Sequence, residues 1–269
     1  MTRVFCVMNQ KGGVGKTSCC FHLAGGFAAI GLKVLAIDVD PQGSLSQGFL
    51  GSSTVEGLSA DETVAALFEE TWGFADWKRL IHRTPFERID LCPANQTLAI
   101  FNSPQPEESG LSQYSLREFI SEQDAYDIVL IDCPPNLFRC SWSAMIASRW
   151  IIIPVTPEDF GTQGLRAVHQ AIDHARLLNT ELQRLGHLVT RCDSRLIVHK
   201  VYEQKLRNYY AGDVLINRLP ELVAFKLAVA ERTPAALNGP QSRAADLTET
   251  LCREILDRSD DRNAGQRVA

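Results

Sequence analysis

The chain has 269 residues, of which 45% are hydrophobic and 22% are charged, and its formal net charge is −5. This composition predicts one α/β domain with a full core, or at most two small ones, and the negative charge excludes a global attraction to nucleic acid. No apolar run approaches the ~20 residues that span a bilayer, so a membrane-spanning helix is excluded as well.

The first predicted elements enclose a glycine-rich loop. The apolar run 4–8 predicts a buried strand, and residues 18–30 predict a helix that ends at Gly31. Between them lies NQKGGVGKT, residues 9–17. A glycine-rich turn between a strand and a helix directs backbone N–H groups toward one point, at the positive end of the helix dipole. The loop therefore predicts a bound nucleoside triphosphate.

Two side chains of this loop are suited to act on the phosphates. Lys16 can reach the β- and γ-phosphates, and the Thr17 hydroxyl can ligate Mg²⁺. The alternative is a chance glycine–lysine loop on a surface turn, which the order of strand, loop and helix disfavours. The candidate nucleotide-binding residues of the loop are Lys11, Gly12, Gly13, Val14, Gly15, Lys16, Thr17 and Ser18.

Further strands and helices alternate along the chain. Strands are predicted at 33–38, 88–92, 127–132, 150–155, 195–198 and 214–216. Helices are predicted at 61–70, 114–122, 141–148, 162–185 and 244–256, with Ser59 as the cap of the first and Gly186 as the stop after 162–185. This alternation predicts a single α/β P-loop domain over residues 1–258, with a mostly parallel sheet flanked by helices on both faces. Residues 102–113 are predicted to form a surface loop and residues 259–269 a disordered tail.

Three acidic residues follow predicted strands and are expected to meet the loop. Ligands of parallel sheets bind at the carboxyl ends of strands, where residues 9–17, 38–42 and 132–135 all begin. Asp132 has the context of a Walker B carboxylate that holds Mg²⁺ or its water, although it could instead cap the turn before Pro134. Asp38 and Asp40 can orient the attacking water, or they could simply initiate a turn.

The loop departs from the strict GxxxxGK[ST] pattern, because Gln10 stands where glycine is expected and Lys11 adds a second lysine. In this form it resembles the deviant Walker A motif, KGGVGK[ST], of the ParA/MinD ATPases. Three further segments resemble that family: PAN at 93–95 with Leu98, DCPPNL at 132–137, and IIIPVTPEDFGTQGL at 151–165. The resemblance covers about residues 1–170 and is nearest to the short, Soj-like ParA class. We therefore expect neither a secretory signal nor an extra N-terminal DNA-reading domain.

The resemblance implies an ATPase with ATP and Mg²⁺ as cofactors and a weak intrinsic turnover. It implies an ATP-bound sandwich homodimer in which Lys11 touches the partner's nucleotide. It also implies that Asp40 takes part in hydrolysis with Lys11 and Lys16, and that Asp38 lies near the metal with Thr17 and Asp132. Asn217 and Pro220 occupy the expected adenine region by position.

The later third of the chain departs from the family at its basic motifs. KVYEQKL stands near the usual MVDxRT-like segment, and RLPELVAF replaces an arginine-rich IPRNVR-like loop. The candidate DNA-binding residues are Lys200, Lys205, Arg207, Arg218, Lys226 and Arg232. The alternative for each of them is a solvated helix face. The final predicted helix is acid-rich on its polar side, so no direct membrane binding is expected.

These patterns predict a cytoplasmic, nucleoid-associated ATPase with buried, reduced cysteines. ATP would drive a dimer that binds DNA nonspecifically, and a ParB-like or cargo-adaptor protein would stimulate hydrolysis and release the dimer, which segregates a chromosome or plasmid. Two alternatives stay open. One is a positioning ATPase for a non-DNA cargo such as a microcompartment or chemotaxis cluster, and the other is an ATP-dependent regulatory or assembly protein that binds no DNA.

Overall fold

One sheet of eight strands organises the residues that the computed structural model describes, which are 2–71, 73, 76–157 and 162–268. Residues 158–161, part of the segment 151–165, lie outside these ranges. The strands are β1 (Arg3–Val7), β2 (Val34–Asp38), β3 (His82–Arg83), β4 (Ile89–Cys92), β5 (Ile128–Asp132), β6 (Trp150–Val155), β7 (Gln183–Cys192) and β8 (Leu219–Pro220). Their order in the sheet is β3-β4-β2-β5-β1-β6-β7-β8. Only the β3–β4 pair is antiparallel among these strands, so the predicted fold class is confirmed.

The helices of the described ranges cover both faces of this sheet. They are α1 (Lys16–Ala29), α2 (Ser44–Leu50), α3 (Ser52–Glu56), α4 (Ser115–Ser121), α5 (Arg139–Ala147), α6 (Thr162–Ala175), α7 (Ile197–Tyr210), α8 (Val223–Ala230), α9 (Ala235–Asn238) and α10 (Arg243–Val268). Helix α10 continues beyond residue 256, where the sequence predicted its end. None of the described helices is both long and apolar enough to cross a bilayer.

Two apolar clusters, one on each face, hold the sheet between the helix layers. Successive side chains of a strand point to opposite faces, and β1 shows this directly. Phe5 and Val7 pack in one cluster with residues of α1 and α10, whereas Cys6 and Met8 pack in the other with residues of α5 and α6. All eight cysteines are buried and free, which fits small apolar side chains in a close-packed core.

The predicted helix at 162–185 is wrong in its second half. Helix α6 ends at Ala175, and the chain then turns and enters β7, which pairs in parallel with β6. Leu182 and Leu185 continue the helical spacing of α6 only by coincidence, since Leu185 lies in the strand. Gly186 has a φ of 153° beside the irregularity in the β6–β7 register, so it belongs to a strand rather than to a helix end.

Four other predicted elements differ from the structure. The segment 195–198 is not a strand, because α7 begins at Ile197, and in the segment 214–216 only Val214 forms an isolated bridge, to His187. The helix predicted at 61–70 is a pair of 3₁₀ helices, Ala60–Glu62 and Val64–Phe68, although Ser59 does cap the first. Part of the predicted loop 102–113 forms 3₁₀ turns within Pro106–Tyr114, and a kink at Gly110 separates them.

A directed chain of hydrogen bonds connects α6, β7 and the segment after α7. Arginine has no acceptor, so Arg184 Nη1 donates to His169 Nδ1 at 3.3 Å. His169 Nε2 therefore bears the proton and donates to His187 Nε2 at 3.1 Å. His187 Nδ1 in turn donates to the Asp213 carbonyl at 3.1 Å. Burial lowers the pKa of His187 to about 4, and burial together with Arg184 lowers the pKa of His169. Both rings are therefore neutral at pH 7.

The free energy of unfolding is expected to fall between pH 7.5 and pH 5 because of these rings. The unfolded chain takes up protons near pH 6.5, whereas folded His187 resists protonation until the pH nears its folded pKa. The contribution of His187 to the free energy of unfolding is therefore fully present above about pH 6.5. It is lost as the pH falls, by about 2 kcal/mol at pH 5. Urea denaturation of wild type and His187→Gln should show this difference in pH dependence. His174→Gln, at an exposed position of α6, should behave as wild type, and an unchanged pH dependence in His187→Gln would contradict the assignment.

Candidate nucleotide-binding site

The loop between β1 and α1 adopts a backbone that requires glycine at two positions. Gly13 and Gly15 have φ values of 76° and 85°, in the left-handed region, and Gly15 precedes the first residue of α1. Asn9 is buried and fixes the start of the loop, because its Nδ2 donates to the Pro154 carbonyl at 2.7 Å and its Oδ1 accepts the Lys11 N–H at 3.0 Å. The loop is thus anchored to β6 before it turns into the helix.

The end of β7 supports the same loop from the other side. Thr190 Oγ1 donates to the Val14 carbonyl at 2.7 Å, and Arg191 Nη1 donates to the Gly13 carbonyl at 2.8 Å. The sequence analysis missed both residues, because it had no strand at 183–192. The signal that could have found them is the apolar pair Leu188-Val189 immediately before Thr190, at the expected end of a strand.

Lys16 lies at the bottom of the loop with its ammonium group inside it. The residue is only 7% exposed, and Nζ donates to the Lys11 carbonyl at 3.0 Å. Burial lowers the pKa of Lys16, whereas the carboxylates of Asp132 and Asp40 act in the opposite direction. A buried ammonium group held by one carbonyl and facing two acids has donors left for an anionic ligand.

Asp38 and Asp132 lie side by side, because they are register partners at the ends of β2 and β5. Both are completely buried. Asp38 is well held, since it accepts the Ser46 N–H at 2.9 Å, the Ser46 hydroxyl at 2.8 Å and the Asp40 N–H at 3.0 Å. No donor of the residues described lies within 3.5 Å of either carboxylate oxygen of Asp132 in hydrogen-bonding geometry, although the Thr17 hydroxyl is close enough to lower the pKa of that carboxyl.

The electrostatics of this pair fit a divalent cation. Burial raises the pKa of Asp38 to about 7. Burial and the neighbouring Asp38 charge raise the pKa of Asp132 well above its usual range, while Thr17 and Lys16 act against this rise. The described residues contain no group of three or more metal-ligating side chains. Two adjacent buried carboxylates beside a phosphate loop suit Mg²⁺, which binds through one or two carboxylates, water and the phosphates of its substrate.

Asp40 stands where the chain leaves β2 and faces the cavity beside the loop. It is half-buried, and its Oδ1 accepts the Gln42 N–H at 3.0 Å. The turn that follows needs Gly43, which has a φ of 61° and lies so close to Ala94 that a Cβ would meet the Ala94 carbonyl at 2.5 Å. This turn fixes the Asp40 carboxylate in a partly solvated position.

A cavity of about 550 Å³ extends from the loop to the segment that contains β8 and α8. Lys16, Thr17 and Asp40 line one end, and Pro220 and Phe225 line the other, more apolar end. The cavity thus combines a lysine-bearing part at the phosphate loop with an apolar part beside α8.

Of the predicted nucleotide-binding residues, Lys11, Val14 and Asn217 do not line this cavity, and neither do the buried metal candidates Asp38 and Asp132. Asn217 donates its side-chain amide to Glu254 at 2.8 Å, away from the cavity. Lys11 lines a separate hollow of about 300 Å³ on another side of the loop, together with Asn9 and Leu165. The remaining loop residues of the prediction, except the buried Val14, line the large cavity.

Comparisons with known proteins agree with this geometry. A family model described as an AAA domain matches residues 2–184. The chromosome-partitioning ATPase Soj of Thermus thermophilus is 30% identical over 257 residues, which cover 95% of this chain and 96% of the relative. The chain therefore belongs to this family, as an ATPase of the ParA/MinD type.

Two solved structures share the fold of this ParA/MinD-type ATPase. Cobyrinic acid a,c-diamide synthase from Mycobacterium smegmatis, with bound ADP and magnesium, is 29% identical with a TM-score of 0.74, over 86% of this chain and 91% of that one. The septum site-determining protein MinD of Pyrococcus horikoshii, complexed with Mg-ADP, is 25% identical with a TM-score of 0.73, over 95% and 96% of the two chains.

Three of the basic residues predicted to bind DNA in this ParA/MinD-type ATPase are engaged by acids. Arg207 and Arg218 both pair with Glu203, whose side chain is 11% exposed. Lys226 pairs with Glu221 and lines the cavity. The positive charges of these three side chains are therefore compensated by carboxylates of the protein.

The other three predicted DNA-binding residues are exposed. Lys200 and Lys205 lie on α7, where the Lys205 ammonium is 5.7 Å from the centre of the Tyr202 ring. Arg232 follows α8 and has a φ of 52°. The first turn of α7 is apolar and exposed rather than basic, as Ile197 shows with 77% exposure.

Proposed function

We propose that this ATPase binds ATP and Mg²⁺ in the large cavity, and that ATP binding drives a homodimer that binds DNA nonspecifically to segregate a chromosome or plasmid. The observation that carries the proposal is the meeting of the glycine loop with two buried, adjacent carboxylates at the ends of β2 and β5. The similar structures that contain ADP with magnesium support the cofactor assignment.

Thr17, Asp38 and Asp132 would hold the metal. Mg²⁺, when bound, neutralises phosphate charge and orients the phosphates. The unsatisfied oxygens of Asp132 are the observation that supports this assignment, because a buried carboxylate without hydrogen bonds is costly unless a cation compensates it. Asp38 is already oriented by Ser46, so it can accept a further positive charge or a water without moving.

Lys16 and Asp40 would act on the reacting groups. The Lys16 ammonium donates to the phosphate oxygens and offsets the negative charge of the transition state. Asp40 lines the cavity while its backbone is fixed to Asp38, so its carboxylate can orient a water and accept its proton. Pro220 would contact the base at the apolar end of the cavity. Asn217 stays a weaker candidate, since it must first leave Glu254.

Lys11 would act in the dimer rather than in its own cavity. It is exposed and lies on another side of the loop from the large cavity. A lysine in this position can reach a nucleotide that is bound to a second copy facing the loop. Hydrolysis would then release the dimer from DNA. A ParB-like or cargo-adaptor protein would stimulate this hydrolysis in the cytoplasm, at the nucleoid.

Replacing Asp40 by alanine is expected to retain ATP binding and remove most turnover, by about 100-fold, because the water-orienting carboxylate is lost while the loop and Lys16 stay. The measurements are ATP affinity by isothermal titration calorimetry and phosphate release. Asp61→Ala, at an exposed site outside the cavity, is the control. Full turnover in Asp40→Ala would remove this assignment.

A mobility shift on random-sequence duplex DNA tests the function itself. The Asp40→Ala protein is expected to shift DNA with ATP but not with ADP, and the shift should weaken as salt increases. Lys200→Ala with Lys205→Ala should reduce the shift, whereas Lys78→Ala, an exposed lysine before β3, should not. A dimer that forms with ATP and yet shifts no DNA would contradict the nucleoid proposal.

One observation favours the regulatory or assembly alternative. The exposed apolar residues Ile197, Val198 and Val201 lie on the helix that carries Lys200 and Lys205. Apolar side chains on that surface suit a protein partner better than a phosphate backbone. Absence of a DNA shift would therefore move the function to this alternative, or to a positioning ATPase with a non-DNA cargo.

A further inference from the structure

Arg191 contacts the phosphate loop and the opposite wall of the cavity at the same time. Its Nη1 donates to the Gly13 carbonyl at 2.8 Å, and its Nε lies 3.4 Å from Glu221 Oε2. The backbone of Arg191 has a φ of 53°, which a non-glycine residue adopts at a cost of about 1 kcal/mol or more. Strain of this kind concentrates at functional sites, and here it accompanies a side chain that spans two walls.

Glu221 carries the connection into α8. Its other carboxylate oxygen pairs with Lys226, and its backbone N–H donates to the Cys192 carbonyl at 3.1 Å. Lys226 and Arg191 hold the pKa of the Glu221 carboxyl below its usual value. Arg191, Glu221 and Lys226 all line the nucleotide cavity.

We propose that Arg191, Glu221 and Lys226 form a brace that couples the phosphate end of the cavity to its base end, with Arg191 as the positioning residue. This inference rests on the proposed nucleotide site. The brace holds the loop and the β8–α8 wall in one relative arrangement. A ligand that fills both ends gains affinity from that arrangement, whereas a ligand that fills only the loop gains little.

The competing explanation is that these are ordinary surface ion pairs. Such pairs contribute about 0–1 kcal/mol each and act independently of one another. The two explanations differ in their effect on ligands of different length. Loss of local stability weakens all ligands alike, whereas loss of a brace weakens mainly the ligand that reaches both ends.

The experiment compares ADP, which would span the cavity, with pyrophosphate, which would occupy the loop alone. Dissociation constants are measured by calorimetry with Mg²⁺ for wild type, Arg191→Met, Glu221→Gln and the double variant. The ratio of the pyrophosphate constant to the ADP constant is expected to fall about fivefold in each single variant. The double variant should show no further fall, because either substitution breaks the same connection.

Controls separate the brace from general effects. Arg117→Met and Glu118→Gln change exposed residues of α4 and should leave the ratio unchanged. Lys226→Met breaks the brace at its most exposed member and serves if Arg191→Met folds poorly. Equal weakening of both ligands, or additive effects in the double variant, would overturn the brace. Wild type that binds neither ligand would instead contradict the nucleotide site.

Discussion

Replacement of Lys16 by methionine is expected to lower kcat/KM for ATP by about 100- to 1,000-fold, the usual effect of removing a donor that stabilises transition-state charge. Methionine keeps the apolar stem of the side chain packed, so the loss should come from the ammonium group. Lys16 is buried, faces Asp132 and Asp40, and among the residues described donates to one acceptor, the Lys11 carbonyl. A phosphate chain supplies the acceptors that the protein leaves open.

The measurements for Lys16→Met are phosphate release over a range of ATP concentrations and ADP affinity by calorimetry. Lys78→Met, which changes an exposed lysine before β3, is the matched control and should retain wild-type kinetics. ADP affinity should also fall, by about 10-fold or more, because a charge-assisted hydrogen bond is lost. If Lys16→Met turns over ATP at the wild-type rate, the cavity is not the catalytic site.

The phosphate end of the site could be predicted from sequence because its signals are local. Residues 4–30 carry strand, turn and helix signals in order, and Asp38 and Asp132 end unbroken apolar strands. Parallel pairing then brings the two acids together, since equivalent ends of neighbouring strands meet at one edge. Each signal lies within a short segment of the chain, and only the pairing of β2 with β5 brings distant residues together.

The opposite wall could not be predicted, because polar residues interrupt its strand. Gln183, Arg184 and His187 break the apolar pattern of β7, and the buried His187 is satisfied by partners distant in sequence. His187, for example, needs His169 and the Asp213 carbonyl. Since β7 was missed, so were Thr190 and Arg191 at its end.

Partners that are distant in the chain also distinguish the six basic residues that could not be told apart from sequence. Arg207 and Arg218 share Glu203, and Arg218 is 15 residues from Glu203 along the chain. Composition and spacing show only that cations are present. Whether a cation faces solvent or a protein carboxylate depends on the packing of α7 against the segment before β8.

Replacement of Asp132 by asparagine is expected to stabilise the ligand-free protein while reducing turnover by about 100-fold or more. The wild-type carboxylate is buried beside Asp38 without a hydrogen bond from the residues described, so its charge opposes folding. Asparagine has nearly the same shape and no charge. Removing this charge is therefore expected to raise the free energy of unfolding of the ligand-free protein.

The gain from Asp132→Asn should increase with pH. The folded-state pKa of Asp132 lies above its unfolded value near 3.9, so the folded protein binds the extra proton, and wild type loses stability as the pH rises above about 4. Asparagine does not titrate and escapes this loss. Urea denaturation at pH 5 and pH 8 measures the difference, and Asp124→Asn, at an exposed position before β5, should match wild type at both.

Addition of Mg²⁺ and ADP should reverse the order of stability. A bound cation compensates the Asp132 carboxylate in wild type, so the wild-type melting temperature should rise with ligand concentration. The Asp132→Asn variant lacks the carboxylate that would bind the cation, so its melting temperature should rise only slightly. An Asp132→Asn protein that is less stable than wild type without ligand, or that gains as much from Mg²⁺ and ADP, would show that Asp132 serves the fold rather than the metal.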